Sequence, residues 1–232
     1  TPVDSPADFD GGGAFLDFYE QVDDYIGRLR ESLADDVTLV IASDHGFTTL
    51  DYEVHLNEWL AREGWLSFET DNHEDLNDIG EETRAYSLIP GRFYLNVKGR
   101  EPRGSVPESA YEERRDELKE MLKSLEGPNG RKVADSVVEK ETAYRGAHDD
   151  IAPDLTVVPS EGFDLKAGFA GSEDVFGTGP RNGMHTFHDA TLIVDDPDVT
   201  MTDVNLLDIA PTILDLMEID TPRTAFDGAS LV

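Results

Sequence analysis

Apolar residues along this chain follow two rhythms. "FLDFYEQVDDYIGRLRESL" places Phe15, Phe18, Tyr19, Val22, Ile26, Leu29 and Leu33 at helical spacing, which predicts an amphipathic helix. "VTLVIA" (37–42), "DLTVVP" (154–159) and "ATLIVDD" (190–196) are short continuous apolar runs, the pattern of strands buried on both faces of a parallel sheet. "GRFYLNVKG" predicts a further strand, and "VHLNEWLAREG" a short helix that stops near Gly64. "PESAYEERRDELKEMLKSLEG" predicts a longer helix, with Pro107 in its first turn and Gly127 past its end. "LDIAPTILDLMEI" predicts a last helix, with Asp208 as cap and Pro211 in the first turn. Between them "ETDNHEDLNDIGEET" is polar and aperiodic, and reads as a loop.

Strands alternating with helices predict an α/β fold, a mostly parallel sheet flanked by helices. Residues 1–66 and 148–232 are expected to form that core, with 67–147 as a smaller inserted α+β appendage. Repeats and low-complexity linkers are absent from the sequence.

Charge changes the picture most. The 232 residues include 50 acidic against 19 basic, a formal charge of −31. The acids are scattered among periodic apolar segments, so they describe the surface of a folded protein and not an acidic tail. Such a surface repels nucleic acid and anionic membranes, which excludes both as expected partners. The composition is similar to that of proteins from salt-accumulating, halophilic organisms and points to the cytoplasm. Cysteine is absent, so neither a disulfide framework nor a thiol nucleophile is available. No apolar run approaches the length of a membrane span.

The candidate chemistry sits where apolar runs stop. "VTLVIASDHGF" ends a predicted strand with Asp44 and His45, and carboxyl ends of strands are where parallel α/β sheets gather ligand-binding groups. A carboxylate beside a neutral imidazole suits zinc or manganese, and Gly46 is expected to relax the backbone behind them. In "TGPRNGMHTFHDATLIV", His185 and His188 lie in a Gly-rich loop before another apolar run. Lys98, Arg100 and Arg103 are either phosphate contacts or salt-bridge partners on an acidic surface. Asn57 and Trp59 are expected to serve packing and capping, and His55, His73 and His148 to face solvent.

Taken in order, "VTLVIASDHGF", "HLNEWLAREGWL", "PGRFYLNVKGREPRGSV", "APDLTVVPSEGFDL", "GMHTFHDATLIV" and "DIAPTILDLMEI" with "DGASL" resemble the alkaline phosphatase superfamily. The likeness is strongest to its type I phosphodiesterase/nucleotide pyrophosphatase branch and runs from Phe15 to the last residue. The resemblance implies a two-metal hydrolase of phosphate esters or nucleotide-like substrates, using zinc or manganese. Asp44 and His45 match the ligands of one ion and His185 a ligand of the other, with His188 as the alternative histidine. It also implies a Thr or Ser nucleophile and further ligands ahead of this region, to which "TPVDSPADFDGGG" offers no counterpart; Asp4, Asp8 and Asp10 receive no role. The expectation is therefore the carboxyl-terminal part of a hydrolase, catalytically incomplete and holding at most one weak ion. Two other readings stand beside it: a truncated non-catalytic homologue acting as a binding or assembly partner, and a sulfatase or phosphoglycerate mutase relative.

Overall fold

The structure, a computed structural model, describes residues 12–171, 174–199 and 201–232. Asp4, Asp8 and Asp10 lie outside the described residues. In chain order the first elements are α1 (Gly12–Ser32), β1 (Val40–Ala42), β2 (Gly46–Thr49), β3 (Tyr52–His55), α2 (Leu56–Arg62), β4 (Ala85–Ile89), β5 (Arg92–Leu95) and α3 (Tyr111–Ser124). Then follow β6 (Ala134–Glu139), α4 (Lys140–Ala143), β7 (Leu155–Pro159), β8 (Phe163–Lys166), β9 (Phe176–Gly177), β10 (Gly183–Thr186), β11 (Leu192–Val194) and α5 (Ile209–Leu216). The chain divides into two compact units, His45–Ala190 on one side and Thr1–Asp44 with Thr191–Val232 on the other.

The His45–Ala190 unit holds the hydrophobic core. Its largest sheet has the order β4-β5-β7-β6, and a second sheet runs β8-β3-β9. Strand alternation turns Phe93 and Leu95 of β5 inward and leaves Arg92 and Tyr94 on the other face. Leu118 and Leu122 of α3, four residues apart, are buried in the same core as Trp65, Phe93 and Leu155. Asn57 is 1% exposed and fully used: its amide donates to the carbonyls of Ser87, Ala167 and Gly168, and its oxygen accepts from Ser87 N at 2.8 Å. Trp59 is buried beside it in α2, so both residues serve packing as the pattern predicts.

Asp154, 1% exposed, lies immediately before β7, a central strand of the four-stranded sheet, and ties it to the end of its neighbour β5. It accepts both terminal nitrogens of Arg100 at 2.8 and 2.6 Å, the Tyr111 hydroxyl at 2.7 Å and the Leu95 N–H at 2.7 Å. A buried carboxylate needs this many donors to replace its lost water. Burial, followed by the hydrogen bond to Asp154, pushes the Tyr111 phenol above its ordinary range.

In the other unit β1 pairs antiparallel with β11, from Val40 opposite Val194 to Ala42 opposite Leu192. The ladder is closed by Ser43, whose N–H donates to Thr191 O at 2.9 Å and whose hydroxyl accepts from Thr191 N at 2.8 Å. Asn205 caps the turn that leads into α5, and Pro211 falls in the first turn of that helix. Helix α1 forms over the predicted span, yet Phe15, Phe18, Tyr19, Tyr25 and Leu29 remain exposed.

The mixed α/β content agrees with the pattern, but the sheets correct the expectation of mostly parallel pairing. Among the described strands β3 and β8 pair in parallel, and every other pairing is antiparallel. An apolar run marks a strand but says nothing about the direction of its neighbour, and it overstated burial at β1 and β11, where Ala42 and Ile193 are exposed and the other residues are half-buried. The loop reading of residues 69–83 needs refinement as well: it contains a capped turn at Leu76–Asp78 and a bridge between Phe68 and Ile79. No helix among the described residues is long and apolar enough to cross a membrane.

Candidate functional site

Strand β1 ends at Ala42, and Asp44 follows as an exposed residue at the close of its unit. His45 opens the next unit, immediately before β2. The stretch read as a Gly-rich loop supplies a strand, β10, which pairs antiparallel with β2 so that His185 stands opposite Phe47 and Thr186 opposite Gly46. Alternation buries Met184 and Thr186 and leaves His185 on the exposed face.

This register brings the two histidines together. The rings of His45 and His185 stack with centroids 4.1 Å apart and planes inclined by 18°. Phe47 extends the cluster, its ring centroid 5.8 Å from that of His185. His45 Nδ1 lies 3.0 Å from the carbonyl oxygen of Gly46. A carbonyl can only accept, so in this contact it is Nδ1 that donates.

Gly46 does more than relax the backbone. A Cβ at this position would lie 2.3 Å from both the His188 carbonyl oxygen and Thr186 Oγ1, so only glycine lets β2 and β10 approach this closely. The Thr186 hydroxyl in turn donates to His188 O at 2.6 Å, fixing the turn that follows His185.

A metal ion accepts an imidazole lone pair in the plane of the ring. Two stacked rings hold their lone pairs in separate, nearly parallel planes, so the pair as placed does not close on a single ion. Nor do three or more His, Asp or Glu side chains gather into an ion-holding group among the described residues. The described residues thus do not fit a complete metal centre. They offer two adjacent imidazoles, an arrangement that suits ligands of neighbouring ions better than ligands of one.

The remaining candidates separate. His188 turns elsewhere, its Nε2 4.0 Å from an Asp135 carboxylate oxygen. Arg100 and Arg103 follow the salt-bridge reading: the first is held by Asp154 and the second donates to Glu69 at 2.7 Å. His73 departs from its solvent-facing expectation, stacking on Phe68 with centroids 3.5 Å apart and bonding the Phe169 carbonyl. His55 is half-buried and His148 is exposed.

Sequence reasoning passed over a cleft of about 520 Å³ that His185 shares with Arg92, Arg181, Phe47 and Phe187. Arg181 donates to Glu53 and, at 2.6 Å, to Asp164, and this bond holds the Glu53 carboxyl below its ordinary range. "GRFYL" carried the signal, an arginine beginning a strand with alternating burial.

Comparison with known families and proteins gives one match to a family model. The model described as type I phosphodiesterase / nucleotide pyrophosphatase matches residues 2–188. No curated protein matches the chain.

Proposed function

Because this chain belongs to the type I phosphodiesterase/nucleotide pyrophosphatase family, we propose that it contributes part of the active site of a metal-dependent phosphoric ester hydrolase. The observation that carries the reading is the stacked pair His45 and His185, brought together by the pairing of β2 with β10. Asp44 and His45 are ligands of one divalent ion and His185 of a second, zinc or manganese, and the substrate is a phosphate ester or nucleotide-like molecule.

Three donors are fewer than two ions require, since a catalytic zinc takes about three protein ligands of its own. The other donors and the nucleophile come from outside Asp44, His45 and His185. By itself this chain holds at most one weak ion and turns over no phosphodiester at an enzymatic rate. Its acidic surface fits a salt-rich cytoplasm, where screening shortens like-charge repulsion from about 10 Å to about 3 Å as salt rises to molar levels.

The test combines zinc titration with a chromogenic phosphodiester assay. Weak zinc binding, reduced further by His45→Ala and His185→Ala and without turnover, is the expected result. Zinc binding indifferent to Asp44→Ala, His45→Ala and His185→Ala overturns the ligand assignment. Metal-dependent turnover lost in Asp44→Ala overturns the claim of incompleteness.

A further inference from the structure

Asparagine is followed by glycine at Asn129–Gly130 and at Asn182–Gly183, and both asparagines are exposed. An asparagine before glycine is open to cyclisation, because glycine has no Cβ to hinder the approach of its nitrogen. Hydrogen bonds that hold that nitrogen, or the asparagine itself, resist the reaction. The structure treats the two pairs differently.

Asn129–Gly130 is held. The Gly130 N–H donates to Gly127 O at 2.9 Å, and the Asn129 side-chain oxygen accepts the Arg131 N–H at 3.1 Å. A further bond from Gly127 N–H to Arg131 O at 2.9 Å closes the loop around them.

Asn182–Gly183 stands where β10 begins, and the strand register leaves it open. Leu50 N–H donates to Asn182 O at 3.0 Å, which makes these two a hydrogen-bonded pair. Such pairs alternate along an antiparallel ladder with pairs whose N–H and C=O turn outward. Gly183, opposite Thr49, therefore directs its N–H away from β2. Among the described residues this sheet has two strands, β10 and β2, so no third strand receives that N–H. The bond that must open for Asn182 to rotate closes the end of a four-residue ladder, where strands fray most readily. Gly183 is itself constrained, since a Cβ there would lie 2.5 Å from the Phe47 ring. Packing keeps the residue that opens Asn182 to attack.

We propose that Asn182–Gly183 is a self-modification site whose deamidation removes His185 from its place beside His45. The Gly183 nitrogen gives up its proton and bonds to Asn182 Cγ, the Cγ–Nδ2 bond breaks, and ammonia leaves with that proton. Water then opens the cyclic imide. Opening at the former side-chain carbonyl gives an aspartyl residue, and opening at the backbone carbonyl gives an isoaspartyl one. The isoaspartyl link adds a methylene to the main chain three residues before His185. A ladder matched residue for residue, with His185 opposite Phe47, cannot keep its register across that extra atom. The stacking of His185 on His45, 4.1 Å between centroids, is lost with it. The inference concerns the geometry of the two rings and stands apart from their reading as metal ligands.

The experiment ages the unaltered chain and Asn182→Ser in mildly alkaline buffer with molar salt and EDTA. Trypsin digestion then follows both Asn-Gly peptides by mass and retention time. Conversion at Asn182 is expected to run roughly tenfold faster than at Asn129, the factor that an additional hydrogen bond to break corresponds to. An isoaspartyl peptide is expected beside the aspartyl one. The ring-current shifts of the His45 and His185 protons are expected to fade in step with the isoaspartyl fraction and to persist in aged Asn182→Ser. The proposal is overturned if Asn182 converts no faster than Asn129, or if the aspartyl peptide is the sole product. Shifts that persist in the converted chain, or fade equally in Asn182→Ser, also overturn it. If Asn182→Ser does not fold, Asn182→Asp decides: it carries the product's charge without the added backbone atom. Loss of the shifts in that variant before ageing overturns the role of the inserted methylene and the proposal with it.

Discussion

Helices α1 and α3 are both amphipathic by sequence and end in different environments. Helix α3, with 14 residues, buries Leu118 and Leu122 in the closed core of the His45–Ala190 unit. Helix α1, with 21 residues, leaves Phe18 61% and Tyr25 65% exposed. The difference lies in what each unit has for a helix to pack on. The larger unit has a four-stranded sheet whose inner face carries Phe93, Leu95 and Leu155. The other has a ladder of two three-residue strands, and such a pair offers little apolar area. A helical stripe fixes which face seeks burial, and sheet area decides whether the burial is obtained.

The sharpest way to break this contrast is to truncate one aromatic in each unit. Phe93→Ala is expected to destabilise by about 3–5 kcal/mol, since it opens a cavity in a filled core. Phe18→Ala is expected to change stability by no more than about 0.5 kcal/mol, as an exposed position should. Urea denaturation of both variants checks this, and similar losses would show that α1 is covered in solution.

Asp154→Ala tests whether polar groups reinforce the same core. Removing the carboxylate leaves Arg100 and the Tyr111 hydroxyl without their acceptor, an expected cost of about 3 kcal/mol. A near-neutral result by urea denaturation would mean that water replaces the carboxylate and that the site is more open than the 1% exposure of Asp154 implies.

Gly46→Ala probes the approach of β2 to β10, where the added methyl must displace backbone at 2.3 Å. The expected cost is about 1–3 kcal/mol, with the histidine pair pulled apart. The proton resonances of His45 and His185 report the separation directly. Unchanged ring-current shifts would rule out the close packing of these two strands.

The smallest effect concerns pH. The hydrogen bond from Arg181 depresses the Glu53 carboxyl below its ordinary value of 4.5. A depressed carboxylate adds stability that is present above the ordinary value and is lost as pH falls through the folded one. Glu53→Gln is therefore expected to flatten the fall in stability below about pH 4.5, by under about 1 kcal/mol because Arg181 is half exposed. Denaturation midpoints at about pH 7 and about pH 3 give the comparison, and an identical acid slope in the variant would show that the pair has no net effect.

Much of the candidate site was legible because its residues border apolar runs. Asp44 and His45 follow the strand that ends at Ala42, and His185 was marked by the segment before β11. Its placement on a strand was not legible: "GMHT" has the alternation of a strand over only four residues, too short to stand out from a Gly-rich surrounding. Arg92 went unnoticed for a related reason. An arginine at the start of a strand has ordinary spacing, and only the tertiary structure shows that it lines a cleft with His185.

The sequence by itself determined the family, the helix spans, the strands at β1, β5, β7 and β11, and the acidic composition, because each depends on residues near one another in the chain. Tertiary structure alone decided strand direction, the stacking of His45 on His185, the fate of the apolar face of α1 and the place of Arg92 in the cleft beside His185. Each of those depends on which distant segment arrives beside a residue, as β10 does beside β2. Local periodicity carries no record of that arrival.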